Sequence, residues 1–128
     1  MQHKEMLALK HWAVVGASNK KGGYGSKAYK ILKYSGHTVY PVTPNYEEVD
    51  GDKAYARVGD IPGPVDAVDM VVSPEIALGV LEECAAAGIK NIWLQPGSRS
   101  PEILEAAKGH GMNVVESCVI KELTGEEE

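Results

Sequence analysis

Short apolar runs alternate with amphipathic stretches from one end of this chain to the other. Trp12–Val15 (with His11 leading in), Thr38–Val42, Ala67–Val72, Asn91–Leu94 and Asn113–Val115 are rich in β-branched and aromatic residues, as strands are. Between them the period changes from 2 to 3.6. Tyr24–Ser35 collects Ala28, Ile31 and Leu32 on one face and stops at Gly36. The stretch after Ser73 collects Ile76, Val80, Leu81 and Cys84 and stops at Gly88, and the stretch after Ser100 turns Ile103, Leu104 and Ala107 inward. Both of these helices open with the same grammar, Ser73-Pro74-Glu75 and Ser100-Pro101-Glu102: a capping serine, a proline at the first helical position and an acid against the positive end of the dipole. The polar stretch holding Pro44, Asn45 and Gly51 reads as a loop, with a short strand at Lys53–Tyr55, and Asp60-Ile61-Pro62-Gly63-Pro64 reads as a turn cluster.

Strands separated by helices must pair in parallel through right-handed crossovers. The predicted fold class is therefore α/β, a three-layer arrangement with a mainly parallel sheet and helices on both faces. Ligands of such sheets lie beyond the carboxyl ends of the strands, where the strand order reverses. The segments 16–23, 43–46, Ser73-Pro74 and 95–98 share that rim.

Candidate chemistry concentrates in one of these segments. The strand ending at Val15 runs into Gly16-Ala17-Ser18-Asn19-Lys20-Lys21-Gly22-Gly23-Tyr24-Gly25 and then into a helix. Glycines permit close approach of backbone to a phosphate, the helix start offers unpaired N–H groups, and Lys20 and Lys21 add positive charge. A phosphorylated ligand, a nucleotide, follows. The loop matches neither the Gly-x-Gly-x-x-Gly dinucleotide fingerprint, because Ser18 stands two residues after Gly16, nor the ATPase phosphate loop, because Gly25 is followed by Ser26 and only then Lys27. A site for NAD would also place an acid at the end of the second strand, where this chain has Pro41-Val42-Thr43-Pro44-Asn45 and no carboxylate before Glu47. That rim accommodates a ligand phosphorylated on its ribose, as NADP and coenzyme A are.

Composition narrows the partners. A chain of 128 residues fits one domain. A net charge of −5 argues against nucleic acid. The apolar runs are too short for a membrane span, and Met1–Met6 has no leader-like apolar segment, so the expected location is cytoplasmic. Two cysteines, Cys84 and Cys118, fit free thiols in a reducing compartment.

Taken in order, Val14-Val15-Gly16-Ala17-Ser18, Gly23-Tyr24-Gly25, Val39–Pro44, Asp60-Ile61-Pro62, Val65-Asp66, Ser73-Pro74-Glu75, Leu94-Gln95-Pro96-Gly97, Cys118 and Lys121-Glu122 resemble the small stand-alone coenzyme A-binding proteins, relatives of the N-terminal domain of the succinyl-CoA synthetase alpha subunit. The resemblance spans nearly the whole chain. It implies a Rossmann-like domain over residues 1–128, with an acidic tail from about residue 123, that binds coenzyme A or an acyl-CoA. It implies contacts from Gly16, Ala17, Ser18, Lys20, Gly23, Tyr24 and Gly25 to the diphosphate, from Pro44 and Asn45 to the adenosine end, and a wall for the adenine from Ser73 and Pro74. In the family this chain resembles, a lysine often sits where this chain has Asn45, so Lys20, Lys21 or Lys53 would have to supply the charge facing the ribose phosphate, or affinity would fall.

Two function classes fit: a coenzyme A-binding module without catalytic machinery of its own, which the residues favour, or an NADP-linked or acyl-CoA enzyme completed by a partner subunit. A protein partner or a second copy of the chain suits either. Tyr29-x-x-x-Lys33 has the spacing of short-chain dehydrogenases but lies on the helix directly after the glycine loop, out of that motif's context. His37 and His110 sit just past helix ends, where capping explains them, and no metal site is expected. Cys84 reads as core. Cys118 reads as an inert cysteine at the sheet edge, or as a thiol near the thiol end of a bound coenzyme. Asp69 reads as a buried carboxylate or a strand-end residue.

Overall fold

The computed structural model describes residues 1–125. A five-stranded parallel sheet runs β2 (Thr38–Val42), β1 (His11–Val15), β5 (Ala67–Met70), β6 (Asn91–Leu94), β7 (Asn113–Glu116). The order reverses between β1 and β5. The sequence places the strands well because a parallel sheet is buried on both faces, so its strands read as continuous apolar runs. Alternate residues then divide between two cores. Ala13, Val15, Val68, Met70, Ile92 and Leu94 pack under α3 (Pro74–Ala86) and α4 (Pro101–Gly109). Trp12, Val14, Ala67, Trp93 and Val115 pack under α2 (Tyr24–Tyr34) and α5 (Val119–Thr124), with Met6 of the short α1 (His3–Leu7). Trp12 and Trp93 meet edge to face at 6.0 Å, and each indole N–H is satisfied by a backbone carbonyl, that of Leu9 or Ser117.

This Rossmann-like architecture agrees with the predicted class, and several details depart from the sequence reading. The apolar stripe of α3 is Ala77, Val80, Leu81 and Cys84, while Ile76 is 57% exposed. On α4 the buried pair is Ile103 and Ala107, and Leu104, one position round the helix, faces outward. Ile31 is only half-buried and Tyr29 takes its place in the core. The strand expected over Ala67–Val72 ends at Met70. The strand expected over Lys53–Tyr55 is two pieces: β3 (Glu48–Val49) and β4 (Asp52–Lys53) form a hairpin, and Tyr55 then bridges Val42 on the edge of β2. The hairpin turns on Asp50 and Gly51, both at positive φ, as a two-residue type I′ turn requires. The acidic tail expected from about residue 123 overlaps the last two residues of α5, and residues 126–128 lie outside the described part.

Tyr29 and Lys33 belong to this hairpin. The Tyr29 hydroxyl donates to Asp52 at 2.6 Å, and Lys33 reaches Asp50 at 3.1 Å and Asp52 at 2.8 Å. Burial, then the hydrogen bond to Asp52, pushes the Tyr29 phenol up, and the hydrogen bond to Asp52 pushes Lys33 up. The dehydrogenase-like spacing thus anchors the hairpin to α2. The His37 ring lies within hydrogen-bonding distance of the Leu32 and Leu7 carbonyls, and His110 faces Glu82 at 2.6 Å. No helix among the described residues is long and apolar enough to cross a membrane.

Candidate functional site

The carboxyl ends of β1 and β5 flank the reversal of strand order, and the backbone there is packed unusually close. Gly16 leaves β1 at φ +97°, and a Cβ on it would lie 2.2 Å from the Val71 carbonyl oxygen at the exit of β5. A Cβ on Gly25, in the first turn of α2, would lie 2.1 Å from the Gly16 carbonyl oxygen. The same glycines that are expected to approach the ligand also let three backbone segments touch. The intervening loop is stitched locally: Lys20 N–H donates to Ser18 Oγ, Gly23 N–H to the Lys20 carbonyl, and Asn19 bridges to the hairpin through the Glu48 carbonyl and the Asp50 amide. Gly23 occupies the capping position, so no side chain caps the helix, and the first turn holds no acid.

Two cavities open around this point. The larger, about 370 Å³, lies between Gly16-Ala17-Ser18, the segment Val42–Tyr46 and the α3 stripe Ile76, Val80, Glu83. The smaller, about 220 Å³, lies between Tyr24-Gly25, Val71-Val72-Ser73 and the segment Gln95–Ser98. Val72 borders both. Rigid supports hold the walls: Thr43 Oγ1 accepts the Asn45 N–H, and the Ser98 hydroxyl lies 2.9 Å from the Met70 carbonyl oxygen and 3.2 Å from the Val72 nitrogen. Gln95, almost fully buried, donates to Tyr24 Oη at 2.7 Å and accepts the Val119 N–H at 3.1 Å, tying the smaller cavity to α5.

Of the residues singled out in the sequence, Gly16, Ala17, Ser18, Pro44 and Asn45 border the larger cavity, and Tyr24, Gly25 and Ser73 border the smaller one. Lys20, Gly23 and Pro74 border neither. Ser73 stands at the capping position of α3, but its hydroxyl makes no capping bond, unlike Ser100, which accepts the Ile103 N–H. Tyr46 lies in the rim segment 43–46 expected from the topology, whereas Ile76, Val80 and Glu83 carry no expectation of a place at the rim. Ile76 was expected in the core, and its outward turn is what brings it to the cavity.

Cys118 sits behind the smaller cavity, with Sγ 2.8 Å from Tyr24 Oη and 3.4 Å from Gln95 Nε2, at 1% exposure. Cys84 lies in the α3 core, where burial and then the charge of Glu83 push its thiol up to about 12. Among the described residues no group of three or more His, Cys, Asp or Glu is placed to hold a metal.

The family model for the CoA binding domain matches residues 10–124. The alpha subunit of an ADP-forming acetate–CoA ligase II from Pyrococcus furiosus is 38% identical over 119 residues, which are 84% of this chain and 26% of that subunit. YneT, an uncharacterised protein of Bacillus subtilis, is 31% identical over 92% of this chain and 88% of its own length. A solved structure of a conserved hypothetical protein from Pyrococcus furiosus, 37% identical, superposes with a TM-score of 0.84 over 89% of this chain and 99% of its own. The chain thus spans about a quarter of the ligase subunit and nearly all of the two small proteins. Sequence, fold and family model agree, and the chain belongs to the CoA-binding domain family, whose ligand is coenzyme A.

Proposed function

We propose that this protein is a coenzyme A or acyl-CoA carrier module that grips the ligand at the reversal of strand order. The diphosphate lies at the start of α2 and the loop from Gly16 to Gly25, the adenosine end in the larger cavity, and the pantetheine arm runs past Val72 toward Tyr24 and Gln95. The observation that carries this reading is the start of α2. It presents N–H groups without a side-chain cap and without an acid in its first turn; Tyr24 and Gly25 border the smaller cavity, and Gly25 packs against the Gly16–Ser18 segment that borders the larger one. Such a terminus favours a phosphate by its N–H groups and its dipole together. The larger cavity suits a nucleoside: it is mostly apolar, with the Tyr46 ring and Pro44 on one side and Ile76 and Val80 on the other.

The chain acts by holding the ligand rather than transforming it. Tyr29 and Lys33 are engaged in the hairpin, and both thiols are buried. The ligase subunit it matches is more than three times its length, so a partner that supplies the chemistry, in the cytoplasm, completes the picture. The test is a thermal-shift panel of coenzyme A, acetyl-CoA, NADP, NAD and ATP. A ligand at a hundred times its Kd adds about 2.7 kcal/mol to stability, roughly 5 to 15 °C for a domain of this size. Coenzyme A and acetyl-CoA are expected to give that shift. A shift with NADP and none with coenzyme A would overturn the proposal.

A further inference from the structure

Among the described residues, Glu83 is the one charged residue bordering the larger cavity. It stands seven residues after Ile76 and three after Val80, two turns along the same face of α3, and its carboxylate makes no hydrogen bond or ion pair among the described residues. Its neighbour Glu82 faces the other way and pairs with His110. The lysines that the sequence offers as counter-charges stay outside the cavity. Lys20 and Lys21 are exposed on the loop, and Lys53 lies over the Tyr55 ring with Nζ 5.5 Å from its centroid. At the end of β2, Asn45 borders the cavity without a charge. Arg57 borders a separate depression on the far side of Glu83, together with Asp60.

A doubly charged phosphate on the ribose would therefore meet a carboxylate and no lining cation. Like charges within one screening length of about 8 Å repel, more strongly where the walls are apolar. We infer that Glu83 is a specificity determinant that sets this site against a ribose 3′-phosphate, so that the preferred ligands are dephospho-coenzyme A and its acyl thioesters. The inference rests on the adenosine end occupying the larger cavity. It makes this chain a binder of the unphosphorylated form, the substrate class of the kinases that add that phosphate.

The experiment is titration calorimetry of coenzyme A and dephospho-coenzyme A against the wild type, Glu83→Gln and Arg57→Ala. Glu83 is partly exposed and unpaired, so its amide should fold as the parent does. Dephospho-coenzyme A is expected to bind the wild type at least about threefold more tightly than coenzyme A. Glu83→Gln is expected to tighten coenzyme A by about three- to tenfold and to leave dephospho-coenzyme A within about twofold. The preference is expected to shrink at high salt. Tighter binding of coenzyme A by the wild type would overturn the inference, as would an unchanged ratio in Glu83→Gln. So would a loss in Arg57→Ala confined to coenzyme A, which would mean that Arg57 reads the phosphate. Each of these leaves the coenzyme A reading intact, whereas failure of both ligands to bind the wild type removes that reading and this one together.

Discussion

Replacing Gly25 with alanine is expected to lower the melting temperature by roughly 5 to 15 °C and to weaken coenzyme A binding by about tenfold or more. The methyl group would be placed 2.1 Å from the Gly16 carbonyl oxygen, closer than a non-bonded carbon and oxygen can stand. The obstacle is backbone, not the flexible end of a side chain. Relief requires the start of α2 to move away from the end of β1, and that movement misplaces the N–H groups proposed to hold the diphosphate. Overpacking of this kind costs about 1–3 kcal/mol. Gly16 cannot yield easily, because its own Cβ position is 2.2 Å from the Val71 carbonyl oxygen and its φ of +97° suits glycine alone. Gly79 is the matched control: it lies within α3 with nothing within 4 Å of its Cβ position. Gly79→Ala is expected to stabilise the protein by about 0.5–1 kcal/mol through its better helix propensity. The check is a pair of melting curves and a titration for each variant. Gly25→Ala melting within a degree or two of the wild type with unchanged affinity would show that the loop, the helix start and the site are not coupled in this way.

That coupling also marks the limit of what the sequence discloses. The strands and the two Ser-Pro-Glu helix starts are legible because each rests on local physics: an apolar run for a sheet covered on both faces, a cap and a proline for a helix. The rim is legible as well, since parallel topology alone brings the segments at 16–23, 43–46, 73–74 and 95–98 to one edge. The inward face of α3 is legible only in part: Val80, Leu81 and Cys84 are buried as expected, while Ala77 takes the place given to Ile76. Its residues from Ile76 to Ala86 are apolar on most sides, so periodicity does not separate the stripe that meets the sheet from the stripe that meets the cavity. Ile76 and Glu83 are the consequence: one is an apolar residue turned outward, the other an acid turned toward a site. The β3–β4 hairpin does have a signal, the Asp50-Gly51 pair, but its strands have two residues each, too short for alternation to register. Once the hairpin is in place, the roles of Tyr29, Lys33 and Asn19 follow, since all three are partners of its backbone or its aspartates.

Asp69→Asn is expected to stabilise the protein at neutral pH and to flatten its dependence on pH. Asp69 stands in the middle of the sheet, in register with Val14 on one side and Trp93 on the other. It shares the sheet face of Ala67, is fully buried, and neither carboxyl oxygen has a hydrogen-bond partner among the described residues. Burial pushes this carboxyl well above its ordinary value of 3.8. The sign follows from proton counting. Between the ordinary value and the raised one, the native chain holds a proton that the unfolded chain has released. Stability from this group is therefore fully present below about pH 4 and falls as pH rises, by about 1.4 kcal/mol per unit, until the native carboxyl itself titrates. Asparagine has nearly the same shape and no such proton. The two proteins are expected to agree within about 1 kcal/mol at pH 4 and to diverge with that slope above it. The variant is then the more stable one at pH 7, despite keeping a buried polar group. Other carboxylates also shape the pH profile of the wild type, but they are common to both chains and cancel in the difference. Urea melts of both proteins at each unit from pH 4 to pH 8 make the measurement. Parallel profiles would show that Asp69 does not hold a proton in the native state, and that its carboxylate has found compensation within the core.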